Sequence, residues 1–248
     1  GPAARPTFNR NNRPAPQIGR LLLRESTANS LFQSVSARMR FVRSWANINA
    51  YYTVSRSKSD DDNERNATGI FYENAYDFTR EWGLARLDRT HQFVANPVFF
   101  LPLGFEVSGA IRLRSGAPVD VTVGSDLNGD SINNDRPYLV PGFSIGRNAY
   151  RGPAEYSWDV RGQKGFSFSE SRRLVLSVEV FNLLNQSNIQ LGTNQTRYCS
   201  STSDASCGLN GITNPNFLRV RDSSGNLITS NFTRTPVLSM QFGARFQF

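Results

Sequence analysis

Apolar and polar residues alternate along several segments of this chain, and the clearest alternation lies at its end. Every second residue from Leu238 to Phe248 is apolar, and serine, glutamine, glycine and arginine fill the positions between them. Successive side chains of a β-strand point to opposite faces, so this period of two predicts a strand with one apolar and one polar face.

The same period predicts a chain built mainly of long strands. Several predicted strands are far longer than the roughly five or six residues typical of globular proteins, which suits tilted membrane strands. Pro97 falls inside one of them, at a position that suits a bulge or a weakened ladder. The eight predicted strands are 17–25, 30–42, 45–57, 89–101, 104–115, 155–168, 172–184 and the terminal segment 233–248.

The connections between these strands alternate in length. Three are tight corners, near residues 43–44, 102–103 and 169–171, whereas segments 58–88, 116–154 and 185–232 are long and rich in Asn, Asp, Ser and Gly. Outer-membrane barrels have short periplasmic turns and long external loops. A periplasmic C-terminus puts all three long segments outside. We therefore predict an all-β fold, the C-terminal portion of an antiparallel transmembrane β-barrel of about eight strands.

Composition agrees with this fold class. No apolar run approaches the roughly 18 residues of a membrane-spanning helix, and mean hydropathy is −0.43. Barrel strands escape hydropathy analysis because half of their residues face a polar lumen. The alternative is a soluble or cell-surface β-sandwich that binds glycan or protein through its loops. The two classes differ in solubility, because exposed apolar strand faces aggregate in water.

The charge pattern argues against a nucleic-acid partner. The net charge is +8, but the arginines are scattered along strands and form no basic run or recognised nucleic-acid motif. Their polar-face positions favour a lumen or rim lining. The lumen-facing candidates are Arg38, Arg40, Arg112, Arg114, Glu179 and Arg245.

Six short segments, in order and spacing, resemble the C-terminal barrel of Oar-like TonB-dependent receptors of Gram-negative bacteria. The resemblance covers residues 17–248, and residues 1–16 read as an irregular lead-in from an upstream region. The segments are ANSLFQSV (28–35), YTVSRSK (52–58), LDRTHQF (87–93), RSGAP (114–118), NDRP (134–137) and EVFNLLN (179–185).

This resemblance implies a bacterial outer-membrane transporter. Its barrel has about 22 strands around an N-terminal plug, and TonB supplies energy through that plug. We expect this chain to form part of the pore wall and the external ligand-binding loops. The implied partners are outer-membrane lipid, the plug, TonB, an external ligand and the barrel-insertion machinery, which reads the terminal aromatics Phe242, Phe246 and Phe248.

One loop carries an oxygen-rich pattern that fits calcium. Asp126, Asn128 and Asp130 alternate around Gly129, and alternate oxygen ligands are how a loop wraps this ion. The loop departs from the EF-hand pattern, because position 12, counted from Asp126, is Pro137 rather than Glu. The alternative is an external loop whose Asx-turns cap their own backbone. The candidate ligands are Asp126, Asn128, Asp130, Asn133 and Asp135.

The remaining chemistry-bearing residues are few. Cys199 and Cys207 predict a local disulfide in an oxidising compartment, with two free thiols as the alternative. His91 has no nucleophile or acid in a motif with it, so we expect no enzymatic activity.

Overall fold

The long strands exist where the alternation predicts them. The computed structural model describes residues 7, 15, 17–18, 25–61, 72–74, 76–140, 143–200, 211–228 and 237–248. The elements are β1 Ser30–Arg43, β2 Ala46–Ser59, β3 Gly83–Leu84, β4 His91–Leu101, a 3-10 turn Pro102–Gly104, β5 Phe105–Arg114, β6 Pro118–Val119, β7 Tyr138–Val140, β8 Phe143–Ser144, β9 Tyr150–Arg151, β10 Glu155–Ser167, β11 Arg173–Phe181, α1 Thr193–Thr196 and β12 Ser239–Gln247. In the described ranges no helix has the length and apolar character needed to cross a membrane.

Seven long strands form one antiparallel sheet in the order β1-β2-β4-β5-β10-β11-β12, and the short β3 adds to the end of β2. The antiparallel all-β prediction is therefore confirmed. Strands β1 and β12 lie at the two edges, and the sheet does not close on itself within the described residues. Two small two-stranded sheets, β6-β9 and β7-β8, lie in the long connection between β5 and β10.

The register gives this sheet one apolar and one polar face. Directly paired residues of an antiparallel ladder share a face. One cross-sheet row on the apolar face reads Met39, Ala50, Ala95, Ile111 and Trp158. A row on the polar face reads Ser108, Arg161, Glu179 and Gln241. A one-residue slip of any strand would exchange its two faces, so the hydrophobic pattern specifies the register.

The apolar face is uncovered in the described structure. Val35 and Phe242, at opposite edges of the sheet, are 76% and 75% exposed. No second sheet packs against this face among the described elements, so the β-sandwich alternative is not favoured. A contiguous apolar surface of this width is stable in lipid, not in water.

All long connections leave the same end of the sheet. Tight turns join β1 to β2, β4 to β5 and β10 to β11 at one end, which we call the turn end. Arg173 pairs with Gln247, so the C-terminus lies at the turn end too. The opposite end, the loop end, carries the described parts of segments 60–90, 115–154 and 182–238. The sequence predicted this arrangement, with the tight turns and the C-terminus at one end and the three long segments at the other.

The strands differ in detail from their predicted bounds. The prediction extended one strand to residue 184, but β11 ends at Phe181, because Asn182 has a φ of +52° and its N–H donates to the Asp159 carboxylate. Pro97 interrupts the β4–β5 ladder without shifting its register, so it is a weakened ladder position and not a bulge. Of the predicted strand 17–25, residues 19–24 lie outside the described residues, and residues 17, 18 and 25 belong to no strand.

Because the sheet has one apolar and one polar face, neighbouring positions of a strand should differ in how well they tolerate a charged residue. Val178→Arg places a charge on the apolar face, whereas Ser177→Arg places it on the polar face. We expect Val178→Arg to lower the free energy of unfolding by roughly 2–4 kcal/mol, the cost of arginine in the middle of the lipid face. Urea unfolding in lipid vesicles measures both variants. Equal losses would contradict the assignment of the faces.

Candidate functional site

The connections at the loop end fold into a compact unit, which we call the cap and define by the described parts of segments 72–90, 115–154 and 182–228. Its apolar centre joins the last two segments. Tyr198 stacks edge-on against Phe217 at 5.1 Å between ring centroids, and Tyr150 does so at 5.6 Å. The buried members are Val121, Val123, Tyr198 and Cys199, surrounded by Val119, Leu127, Ile145, Tyr150 and Phe217.

Backbone hydrogen bonds fix these two segments together. The Thr122 N–H donates to Thr196 O at 3.2 Å, and the Tyr198 N–H donates to Thr122 O at 2.8 Å. The Val123 N–H donates to Asp135 O at 2.7 Å. A loop that buries backbone must satisfy its polar groups, and these bonds do so in the manner of a sheet. The cap is therefore ordered by its own hydrogen bonds.

Arg136 is the centre of a buried ion network that joins the first two segments. Its guanidinium donates to both Glu81 oxygens at 2.8 and 3.0 Å and to both Asp120 oxygens at 2.9 and 3.1 Å. Glu73 lies 3.8 Å away. Burial lowers the pKa of Arg136, but hydrogen bonds to Asp120 and Glu81 outweigh it and the pKa lies above its ordinary value. Arginine thus stays charged here, and its planar fork fits two carboxylates at once.

Two further arginines fasten the cap to strand β2. Arg147 donates to the Ser59 and Glu81 carbonyl oxygens, the latter at 3.0 Å. Arg151 forms an ion pair with the buried Asp88, whose other carboxylate oxygen accepts the Ser57 N–H at 2.6 Å. The cap therefore rests on the end of the sheet through charge-assisted hydrogen bonds.

Beside the cap, a cavity of about 270 Å³ opens at the loop end of β5 and β10. Arg114 and Arg89 share Glu155, with the Arg89–Glu155 contact at 3.3 Å. Asn188 closes the wall: its side-chain amide accepts from and donates to the Tyr156 backbone, both at 2.7 Å, where β11 no longer pairs with β10. The polar lining includes Arg112, Arg114, Glu155, Ser157, Asp159 and Asn188. Such a cavity offers charged and amide groups to a polar ligand.

The register places the six lumen-facing candidates together on the polar face. Arg38 stacks over the Tyr51 ring at 5.2 Å, and Glu179 pairs with Arg161 at 3.3 Å. Of the six, only Arg112 and Arg114 line the cavity. The register rows hold Arg38 opposite Tyr51, Arg40 opposite Asn49, Arg112 opposite Ser157, Arg114 opposite Glu155, Glu179 opposite Gln241 and Arg245 opposite Val175.

The predicted calcium loop directs its oxygens at its own backbone. The Asp126 carboxylate accepts the Gly129 N–H at 2.6 Å and the Ser131 N–H at 2.8 Å. Asp135 accepts the Leu127 and Asn128 N–H groups at 2.5 and 3.1 Å. The described residues hold no group of three or more His, Cys, Asp or Glu placed to hold a metal ion. Calcium would have to displace these N–H donors from the carboxylate oxygens, and its binding stays a prediction.

The two cysteines and the terminal aromatics are the remaining predicted residues. Cys199 is buried in the cap core and disulfide-bonded, and Cys207 lies outside the described residues. Of the aromatics of the expected insertion signal, Phe246 and Phe248 lie at the turn end, and Phe242 lies mid-strand opposite Val178. Phe242 and Phe246 are on the apolar face, and Phe248 is 94% exposed. Their reading by the insertion machinery stays a prediction.

Sequence reasoning did not single out the ion network of the cap. Arg136 and Asp88 stood in the NDRP and LDRTHQF segments only as part of a resemblance, and Glu81 and Arg147 received no role. The sequence carried only a weak signal that these connections fold: apolar residues such as Phe78, Trp82 and Val121 occur within segments that are otherwise polar.

Removing the central cation tests whether the cap depends on it. Arg136→Met removes the guanidinium that Glu81 and Asp120 share. The Arg136–Glu81 pair is buried, and breaking a buried pair costs about 3–5 kcal/mol. We expect amide hydrogen exchange in segment 115–154 to speed up while the strands keep their protection. The matched control is Arg161→Gln, which breaks an exposed pair and costs about 0.2–1 kcal/mol. Unchanged exchange in Arg136→Met would show that the network is dispensable.

Calcium binding at the 126–135 loop predicts a rise in melting temperature on titration with millimolar calcium. The stabilisation follows from binding to the folded state alone. Asp126→Asn serves as the control, because it removes a charge but keeps an oxygen that can accept the Gly129 N–H. A melting temperature that is the same with and without calcium would contradict a calcium site in this loop.

Comparison with known proteins identifies the family of this chain. A family model described as an outer membrane beta barrel domain matches residues 1–145, more than half of the chain. The match spans four of the long strands, β1, β2, β4 and β5, with the first part of the cap. No curated protein matches the sequence. The chain belongs to the outer membrane beta barrel domain family, and its place is the bacterial outer membrane.

Proposed function

We propose that this chain is the C-terminal part of the barrel of an Oar-like TonB-dependent receptor, with a transport role and no catalytic one. The observation that carries the proposal is the folding of the long connections into one cap at one end of the sheet, next to a charged cavity at the edge of the polar face. A receptor needs such a pre-formed external surface, because a rigid site loses less entropy on binding its ligand.

The open sheet fits the role of a partial pore wall. Strands β1 and β12 present free edges among the described strands, and an unpaired strand edge is not tolerated in lipid. Further strands must therefore complete the wall. In the proposed receptor they belong to the upstream region that also carries the plug.

The polar face supplies the inner surface of this wall. Arg38 stacks on Tyr51, Arg161 pairs with Glu179 and Arg114 pairs with Glu155, so these contacts hold part of a charged lining in place. In the proposed receptor this lining would contact the plug, and the cavity beside Arg112 would meet the external ligand as it leaves the cap.

The proposal predicts a physical link to TonB in the native-length protein. Native-length protein extracted from outer membranes is expected to bind the purified periplasmic domain of TonB, because the plug carries the contact. The matched control is the native-length protein without its plug, which should not bind. Heat-modifiable migration on a gel confirms in both samples that the barrel is folded. A folded native-length protein that does not bind TonB would overturn the receptor proposal and leave the barrel intact.

A further inference from the structure

Charged residues avoid the apolar face except near its two ends. Within the described strands this face carries no acidic residue and four fixed cations: Arg56 and Lys58 at the loop end, Arg43 and Lys164 at the turn end. A cation on the lipid face is strongly destabilising at mid-membrane but costs little near the interface. The positions of these four residues therefore mark the levels of the lipid head groups.

Lys164 differs from the others because two aromatic rings hold it. Its Nζ lies 4.4 Å from the Phe105 ring centroid and 5.1 Å from that of Phe166. Rings within about 6 Å attract a cation through their quadrupole. No carboxylate pairs with Lys164 among the described residues. The ammonium group is thus positioned on the lipid face but not neutralised.

A notch in the apolar face lies directly beside this lysine. Gly162 is the next residue of β10 on the same face, and it is flanked by Val107 and Val178 on the neighbouring strands. A Cβ added at Gly162 would meet no atom within 4 Å, so the space above it is open. Two residues along a strand span about 7 Å, which places the notch one step farther from the turn end than the cation.

We propose that Lys164 and the Gly162 notch bind one anionic glycerophospholipid of the periplasmic leaflet. The turn end faces the periplasm in an outer-membrane barrel. The lipid phosphate would meet the Lys164 ammonium, and one acyl chain would lie in the notch against the exposed Val178 and Leu176. Charge complementarity selects this occupant, because no carboxylate among the described residues neutralises the cation, and the apolar notch suits an acyl chain and not a polar ligand.

The test uses native-length protein in phosphatidylcholine vesicles that contain a phospholipid with a photoreactive acyl chain. The probe carries either a phosphatidylglycerol or a phosphatidylcholine head group. We expect cross-links in segment 155–181 to favour the glycerol head group roughly fivefold, the ratio that about 1 kcal/mol per surface cation gives. Lys164→Gln should remove this preference, and Lys164→Arg should keep it.

Two more variants separate the site from general effects. Gly162→Leu fills the notch and should reduce cross-linking in this segment with both probes. Arg245→Gln removes a cation from the polar face at a similar height and should leave the preference unchanged. Heat-modifiable migration confirms folding of every variant. Equal labelling by the two probes, an unaltered preference in Lys164→Gln or a loss in Arg245→Gln would overturn the proposal.

Discussion

The backbone hydrogen-bond ladder is the constraint on which the rest of this structure depends. In lipid no water satisfies a peptide N–H or C=O group, so each strand must pair with its neighbours along its length. The seven long strands do so in one antiparallel order, and strict pairing then divides their side chains into two faces. The apolar face, the polar lining and the separation of turns from loops all follow from this division.

The molecule consequently reverses the usual distribution of buried and exposed residues. Its large apolar side chains are exposed on the sheet, whereas many of its fully buried side chains are polar: Glu81, Asp88, Asn128 and Asp135 in the cap. Buried carboxylates are stable only with hydrogen-bond and charge partners. Cap arginines supply these partners to Glu81 and Asp88, and backbone N–H groups supply them to Asp135. Polar interactions thus hold together the part of the molecule in which the apolar core is small.

The sequence predicted the sheet better than the cap, and the reason is the range of the interactions. Period two is a local signal, and seven of the eight predicted strands fall on the long strands of the sheet. Of the eighth, 17–25, residues 19–24 lie outside the described residues. Arg136 and Glu81 are 55 residues apart, and no local pattern connects them. The loop at 126–135 shows the intermediate case. Its Asx pattern was readable, but the partner of each oxygen depended on backbone geometry that the spacing alone does not specify.

The shared ion network has a consequence for how such a protein can evolve. Glu81 and Arg136 come from different connections, and Arg147 reaches back to the end of β2. A loop of this cap cannot be exchanged for another independently, since its replacement would leave buried charges behind in its neighbour. New ligand preferences would therefore arise by surface substitutions on a retained cap, or by replacement of the connections together as one inherited block.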